Sequence, residues 1–461
     1  MTHDFNPSIL REYDIRGIVG STLGEEDAYA VGRGFAALAS DEGIGKIAVG
    51  RDGRTHSPLL EAALVEGLTR GGLDVVRIGV GPSPMLYFAV ATLKDVGGGI
   101  QLTGSHNPAE YNGFKMLLSG RSLFGEEIQK LGRRCAAGDW SEGQGKVEDV
   151  DVRDDYVDRL VQDFDGKAFR VGWDAGNGAA GEILEQLVEK LPGEHFTIHS
   201  RIDGTFPNHH PDPTVEANLA DLKALVAEKQ LDFGIAFDGD GDRIGAVDGK
   251  GRVIWGDQLL LILAKPVLEE KPGATIIADV KASQILFDGI AKLGGKPLMW
   301  KTGHSLIKSK MLETGAPIAG EMSGHIFFKH RWYGFDDALY AGVRLIEAVS
   351  KSGKTLTRIM DEMPKSVATP EMRFPVDESR KFAVVGEVLE RLSSEGAKVD
   401  ATDGARVMTD DGWWLLRSSN TQDVLVARAE AKSEAGLARL VDQIDDQLAK
   451  SGVKRTESVG H

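Results

Sequence analysis

Three short stretches carry residue types and spacings suited to chemistry. The first is Thr103-Gly104-Ser105-His106-Asn107-Pro108, which follows an apolar run, Gly99-Ile100-Gln101-Leu102, that reads as a buried strand. Gly104 and Pro108 break that strand and force a turn. The Ser105 hydroxyl then stands at the carboxyl end of the strand, where open α/β sheets bind ligands. An acyl-transfer elbow needs glycine two residues to either side of the serine; Thr103 and Asn107 occupy those places. The second stretch is Asp238-Gly239-Asp240-Gly241-Asp242-Arg243, three carboxylates separated by glycines. Crowded together without a cation, they would raise one another's pKa, and a hard divalent ion such as Mg²⁺ relieves the repulsion. A calcium loop is excluded, because Arg243 and Gly249 stand where it needs Gly and Glu. The third stretch, Arg417-Ser418-Ser419-Asn420-Thr421, gathers one guanidinium with hydroxyls and an amide into a phosphate-sized donor cluster.

Other signals compete and are weaker. Gly176-Asn177-Gly178-Ala179-Ala180-Gly181 matches the dinucleotide fingerprint, but two residues separate it from the strand. The next strand ends Ile198-His199-Ser200, without the acidic ribose ligand. Gly353-Lys354-Thr355 resembles the end of a Walker loop, with Ala348 in place of its first glycine. His209 and His210 are adjacent with no third ligand close in sequence, so they read as loop polar contacts rather than a zinc site. Arg133 and Arg134 flank the single cysteine, Cys135, which suits a reducing compartment and excludes an intrachain disulfide.

The elements that position these stretches form a repeating pattern. Strands at 46–50, 75–80 and 99–102 alternate with helices at 25–39, 57–69 and 85–93. A second unit has strands at 169–173, 196–198 and 233–237, with helices at 180–191 and 219–227. A third has strands at 275–278 and 297–300, another entering Gly320-Glu321-Met322-Ser323-Gly324-His325, and helices at 283–292 and 305–313. Each unit has an early strand ending in Asp (Asp52, Asp174, Asp279) and a later strand ending in a polar, glycine-containing loop. Three similar domains are therefore expected to present three different loops to one cleft. From about Pro364 the pattern changes: strands at 406–407, 413–416 and 425–430, the first two joined by Asp410-Asp411-Gly412, precede a helix at 434–448. This reads as an α+β lid. A turn-prone stretch, Gly138 to Gly145, reads as a boundary.

The 461 residues exceed a single core. A net charge of −16 argues against non-specific binding to nucleic acid or an anionic membrane. Apolar runs such as Leu259–Ala264 fall far short of the ~18 residues of a membrane span. With no basic-then-apolar leader pattern in the first residues, a cytoplasmic protein is expected.

The stretches at 103–108, 238–243, 320–325 and 417–421, in this order, resemble the α-D-phosphohexomutases, most closely the bacterial phosphomannomutase/phosphoglucomutase branch. The resemblance spans essentially the whole chain. It implies three α/β domains of mixed sheets and a C-terminal α+β lid around a central cleft, with expected domains 1–150, 151–252, 253–364 and 365–461. It implies a phosphoserine at Ser105, Mg²⁺ on Ser105, Asp238, Asp240 and Asp242, and sugar hydroxyls on Glu321 and Ser323. Arg417, Ser419, Asn420 and Thr421 would hold the substrate's non-reacting phosphate. Arg16, Lys115, Arg243 and His304 match catalytic cleft positions, and Lys281 and His325 match substrate contacts. The implied reaction moves phosphate between O1 and O6 of mannose or glucose through a hexose 1,6-bisphosphate, with glucose 1,6-bisphosphate as activator. Hexose phosphates are the implied partners, and a monomer or weak dimer is expected. Alternatives are a phosphoglucosamine mutase, which usually has Gln where Met322 sits, and a sugar-phosphate phosphatase. Asp423 replaces a common Pro, and Ala338 a frequent Gly.

Overall fold

The computed structural model describes residues 2–420 and 422–454. Its first three sheets share one topology. In the first, the core strands in chain order are Lys46–Arg51, Asp74–Val80, Gly98–Leu102 and Tyr111–Leu118. They lie side by side in the order fourth, third, first, second, the fourth antiparallel and the others parallel. Phe169–Asp174, Gly193–Ile198, Phe233–Phe237 and Ile244–Asp248 repeat this order. So do Thr275–Asp279, Lys296–Trp300, Ile318–Gly320 and Ile326–Phe328. The weak sequence repeat is thus a repeat of architecture. In each unit the third strand lies beside the first, and its carboxyl end carries the polar loop. The chain thus divides into three α/β units with mixed sheets and a C-terminal unit with an antiparallel sheet.

The aspartates that end the first strands explain themselves in two units. Asp52 Oδ2 accepts from Gly104 N at 3.1 Å, and Asp279 Oδ1 from Met322 N at 3.1 Å. Each pins the neighbouring functional loop to the sheet, satisfying backbone donors that would otherwise be orphaned at a strand end. Asp174 takes a different partner, His209.

Packing divides the molecule unequally. One apolar core runs through the first three units, including Ala48 and Met85, Trp173 and Ile235, and Ile276 and Tyr340. The tail has its own core around Trp414, Leu416, Leu425 and Leu440. On the strand Gly412–Ser418, neighbouring side chains face opposite ways. Trp414 therefore enters the tail core, while Trp413 packs with Leu415 and Val280 of the third unit. That patch is small beside the shared core. Arg406 reinforces it, lying 3.7 Å from the Trp413 ring centroid and donating to Val280 O and Ala282 O.

The Gly138–Gly145 stretch is not a free linker. Gly143 N donates to Arg70 O and Gly145 N to Thr69 O, and Val147–Asp149 then pairs with the first sheet. Helices Gly256–Glu270, Ala338–Ser352 and Glu378–Ser394 add to the sequence reading.

Candidate active site

Ser105 sits where the sequence places it, just beyond Gly98–Leu102, with φ +48°. A non-glycine residue in the left-handed region costs of order 1 kcal/mol and persists only where its surroundings fix it. Here Arg54 fixes it. Its guanidinium donates to the carbonyls of Ser105 (2.8 Å), Asn107 (2.6 Å), Pro108 (2.5 Å) and Tyr111 (3.0 Å), while Asp52 holds its Nε. Arg16 adds bonds to Gly104 O at 2.9 Å and Asn107 Oδ1 at 2.6 Å.

The Asp loop meets this serine. Ser105 Oγ donates to Asp238 Oδ2 at 3.0 Å. The intervening glycine allows the approach: a Cβ on Gly239 would lie 2.4 Å from Ser105 O. Asp238, Asp240 and Asp242 are fully buried, each with a carboxylate oxygen within 4.8 Å of the others'. Burial, then Asp240 and Asp242, push the Asp238 pKa well above the usual carboxylate range. Burial also raises Asp242, with Asp240 adding to it. Burial works against the Asp240 charge too, yet Lys115 and the Ser83 hydroxyl hold its pKa below the usual range. Lys115 Nζ lies 2.6 Å from Asp240 Oδ2 and 2.5 Å from Asp242 Oδ2. Even so, Asp240 Oδ1 and Asp242 Oδ1 are buried without a hydrogen-bond partner among the described residues. Orphaned oxygens on three crowded carboxylates are the donor set a hard divalent cation takes.

Around them lies a cleft of about 1210 Å³ lined by all four units. Arg16, Ser105 and Lys115 come from the first unit, Arg243 from the second, and Lys281, His304, Glu321, Ser323 and His325 from the third. Arg417, Ser419 and Asn420 come from the tail. The three aspartates are fully buried and do not themselves line it. Thr421 lies outside the described residues.

On the third-unit side, Glu321 Oε1 accepts from Gly303 N at 2.6 Å, and burial raises its pKa. His325 receives a hydrogen bond from Arg243 Nε at Nε2 (3.0 Å), so its proton sits on Nδ1, 2.9 Å from Asp336 Oδ2. His304 stacks on His325 with ring centroids 5.5 Å apart. Burial, then Lys308, push the His304 pKa well below the usual histidine range, so its imidazole is neutral and can accept a proton. In the tail, Arg417 donates through Nε to Asp403 Oδ2 at 2.9 Å. Asn420 Nδ2 lies 2.5 Å from Tyr13 Oη, which donates to Thr302 O at 2.7 Å, so Tyr13 ties first, third and tail units together.

Tyr13, Arg54, Asp336 and Arg428 bond to or line the site and were not singled out in the sequence. Arg428 lies in the cleft and touches Met322 Sδ and Lys281 O. For Arg54 a signal existed: it follows the strand-ending Asp52 by two residues.

The weaker signals resolve. Gly178 leaves room for the Asp loop, since a Cβ there would lie 2.8 Å from Gly239 O, so the glycine fingerprint packs against protein. Gly353 caps the helix Ala338–Ser352, and Lys354 pairs with Glu362. Cys135 is buried, and burial pushes its thiol up to about 12.

A strand-end serine over a buried carboxylate trio, facing a cation-rich cleft closed by a phosphate-sized donor loop, defines a phosphoryl-transfer enzyme of four units. Family models describe the same four units. The phosphoglucomutase/phosphomannomutase alpha/beta/alpha domains I, II and III match residues 7–142, 154–251 and 255–367, and the C-terminal domain matches 371–447. The Pseudomonas putida phosphomannomutase/phosphoglucomutase is 46% identical over 445 residues, 96% of each chain. A Neisseria gonorrhoeae phosphoglucomutase is 44% identical over 437 residues, covering 94% of this chain and 95% of its own. The crystal structure of a Burkholderia thailandensis phosphoglucomutase/phosphomannomutase family protein superposes with TM-score 0.92 at 42% identity, covering 97% of this chain and 98% of that one. The chain belongs to the phosphoglucomutase/phosphomannomutase family and is an enzyme that interconverts hexose phosphates. Among the described residues no helix is long and apolar enough to cross a membrane.

Proposed function

We propose that Ser105 is the phosphoryl carrier, that Mg²⁺ is held by Ser105, Asp238, Asp240 and Asp242, and that the chain moves phosphate between O1 and O6 of mannose and glucose phosphates. The observation that supports this most is the Ser105 Oγ–Asp238 Oδ2 contact above two orphaned carboxylate oxygens. Bound there, Mg²⁺ would neutralise charge on a seryl phosphate. Phosphoryl transfer needs mainly positioning and charge neutralisation. Arg16, Lys115 and Arg243 supply fixed positive charge around the transferring group. The sugar hydroxyl oxygen takes the phosphoryl group as the P–Oγ bond of Ser105 breaks; His304 accepts the hydroxyl proton and returns it to the departing Ser105 Oγ, which is left as a hydroxyl.

The resulting 1,6-bisphosphate turns over, and Ser105 Oγ recovers a phosphoryl group from the other end of the sugar. Glu321 and Ser323 orient the sugar hydroxyls, and Lys281 and His325 complete the sugar subsite. Arg417, Ser419 and Asn420 hold the phosphate that is not reacting. Thr421 belongs to the same loop in sequence. Glucose 1,6-bisphosphate then recharges an enzyme that has lost its phosphate. Met322 leaves Glu321 and Ser323 to bind O3 and O4, which the two sugars share, so the preference between them should stay under about a hundredfold in kcat/KM, ~2.7 kcal/mol. A single buried cysteine supports a reducing, cytoplasmic setting.

Peptide mass spectrometry of active enzyme should find phosphate on Ser105. Full multi-turnover activity in Ser105→Ala, without another phosphoacceptor, would sink the assignment.

A further inference from the structure

A second cluster of ligand-type side chains lies outside the cleft, in the second unit. Asp174 ends the strand Phe169–Asp174 and is fully buried. Its Oδ1 accepts from Gly176 N at 2.9 Å, and its Oδ2 faces His209 Nε2 at 2.9 Å. His209 Nδ1 is 3.0 Å from His210 O. A carbonyl oxygen only accepts, so Nδ1 carries the proton. A neutral ring then turns the lone pair of Nε2 toward a carboxylate oxygen, acceptor against acceptor. Either a second proton or a metal cation must lie between them. A metal-bound imidazole characteristically donates its other N–H to a carbonyl, as His209 does.

A second imidazole stands beside the first. His199 follows the strand Gly193–Ile198, and its ring centroid is 5.2 Å from that of His209, nearly perpendicular. Ligand atoms of Asp174, His199 and His209 lie within 4.8 Å of one another. His199 Nε2 is also 3.0 Å from Asp221 Oδ2, whose side chain is 55% exposed. The cluster is therefore buried on the Asp174 side and open to solvent on the Asp221 side. None of these four residues lines the cleft.

We propose that Asp174, His199 and His209 form a second metal site, distinct from the catalytic carboxylates, that takes a borderline divalent cation such as Zn²⁺. Two imidazole nitrogens with carboxylate oxygen suit zinc, whereas the all-oxygen Asp238 cluster suits magnesium. Its role is to brace a loop. The chain from His199 to Pro213 packs against both catalytic loops: the Phe206 ring lies 5.1 Å from the Arg54 guanidinium, and Pro211 O accepts from Gly239 N. A cation on Asp174, His199 and His209 would clamp both ends of that loop to the sheet.

The test is Co²⁺ titration of the full-length enzyme at saturating Mg²⁺, followed by visible absorption. One equivalent should give the intense band of tetrahedral Co²⁺, which an octahedral all-oxygen site does not give, and Zn²⁺ should displace it. Zn²⁺ should also raise the Tm. His199→Gln should weaken Co²⁺ binding about tenfold or more while mutase activity at saturating Mg²⁺ stays at the parent level. If that activity falls, showing a disturbed fold, His209→Gln serves in its place with the same expected loss of binding. No tetrahedral band in the parent, or a band of parental affinity in the folded variant, overturns the site.

Discussion

Lys115 bridges Asp240 and Asp242 through a single ammonium, at 2.6 and 2.5 Å. All three side chains are nearly or wholly buried. Burial opposes the Lys115 charge, yet Asp240 and Asp242 hold its pKa well above the usual lysine range. The lysine strand and the Asp loop come from different units, so this pair of contacts joins them by charge.

Lys115→Met should therefore act on stability as well as on turnover. Removing one member of a buried ionic cluster typically costs about 3–5 kcal/mol. Without Mg²⁺ the variant should melt well below the parent. Added Mg²⁺ should raise the Tm of the variant more than that of the parent, because the cation replaces a missing positive charge. Calorimetry with and without Mg²⁺ checks this. Equal Mg²⁺-induced shifts would show that the lysine is not neutralising the carboxylates.

Arg54 shapes the serine loop through four carbonyls at once, a geometry that needs the planar guanidinium fork. Arg54→Lys keeps the charge but cannot reach all four. Ser105 would relax from its left-handed backbone, and a displacement of about 1 Å costs on the order of a hundredfold in rate. We expect kcat to fall by roughly that factor with KM nearly unchanged, since Arg54 does not line the cleft. A variant with parental kcat would show that the loop holds its shape unaided.

The loops were legible because chemistry and backbone coincide in them: Ser105, Asp238 and Glu321 follow apolar strands and sit among glycines. Their supports were not. Arg54 and Ser105 are 51 residues apart, and Tyr13 and Asn420 are 407 apart. Such partners are set by how units dock, which local pattern does not encode. The helix Ala338–Ser352 escaped for another reason. Residues 338–350 are all buried, and the polar stripe that marks its period, Arg344 and Glu347, is itself buried in an ion pair rather than turned to solvent. Gly256–Glu270 is also apolar over most of its surface, with Pro266 inside it. The same limit hid the second histidine cluster, since His199 and His209 meet Asp174 only after the sheet forms.

Asp337 caps the helix Ala338–Ser352, accepting from Tyr340 N at 2.9 Å, and receives the Tyr156 hydroxyl at 2.8 Å. Burial, with Asp336 adding to it, nevertheless raises its pKa to about 7. An unfolded aspartate titrates near ~3.9. Its raised folded value favours the folded state fully below that pH, and the benefit is lost as pH rises toward 7. Asp337→Asn keeps the cap acceptor and removes the titration. Between pH 5 and pH 7 the parent should lose stability relative to the variant by about 1–3 kcal/mol. Paired unfolding curves at the two pH values check this. A constant difference would mean that Asp337 is ionised in the folded protein throughout.

The tail has its own core, and its apolar contact with the third unit is a small patch, so closure of this unit over the cleft is the motion expected on phosphate binding. Arg417 and Asn420 reach the cleft from it, and Asn420 contacts Tyr13 across the entrance. A phosphate bound to Arg417 would draw this unit over the sugar. A hydrogen bond to a charged group contributes about 1.5–3 kcal/mol, or about 10- to 150-fold in affinity. Because the bisphosphate is held in both orientations, Arg417→Ala should raise KM by that range for hexose 1-phosphate and hexose 6-phosphate alike. The bisphosphate should also escape before it turns, so added glucose 1,6-bisphosphate should partly restore flux. Transfer from phosphorylated Ser105 to a small acceptor lacking the second phosphate should change little, because that reaction does not use the loop. If Arg417→Ala keeps the parental KM and bisphosphate dependence, the tail is a structural cap and phosphate does not close it.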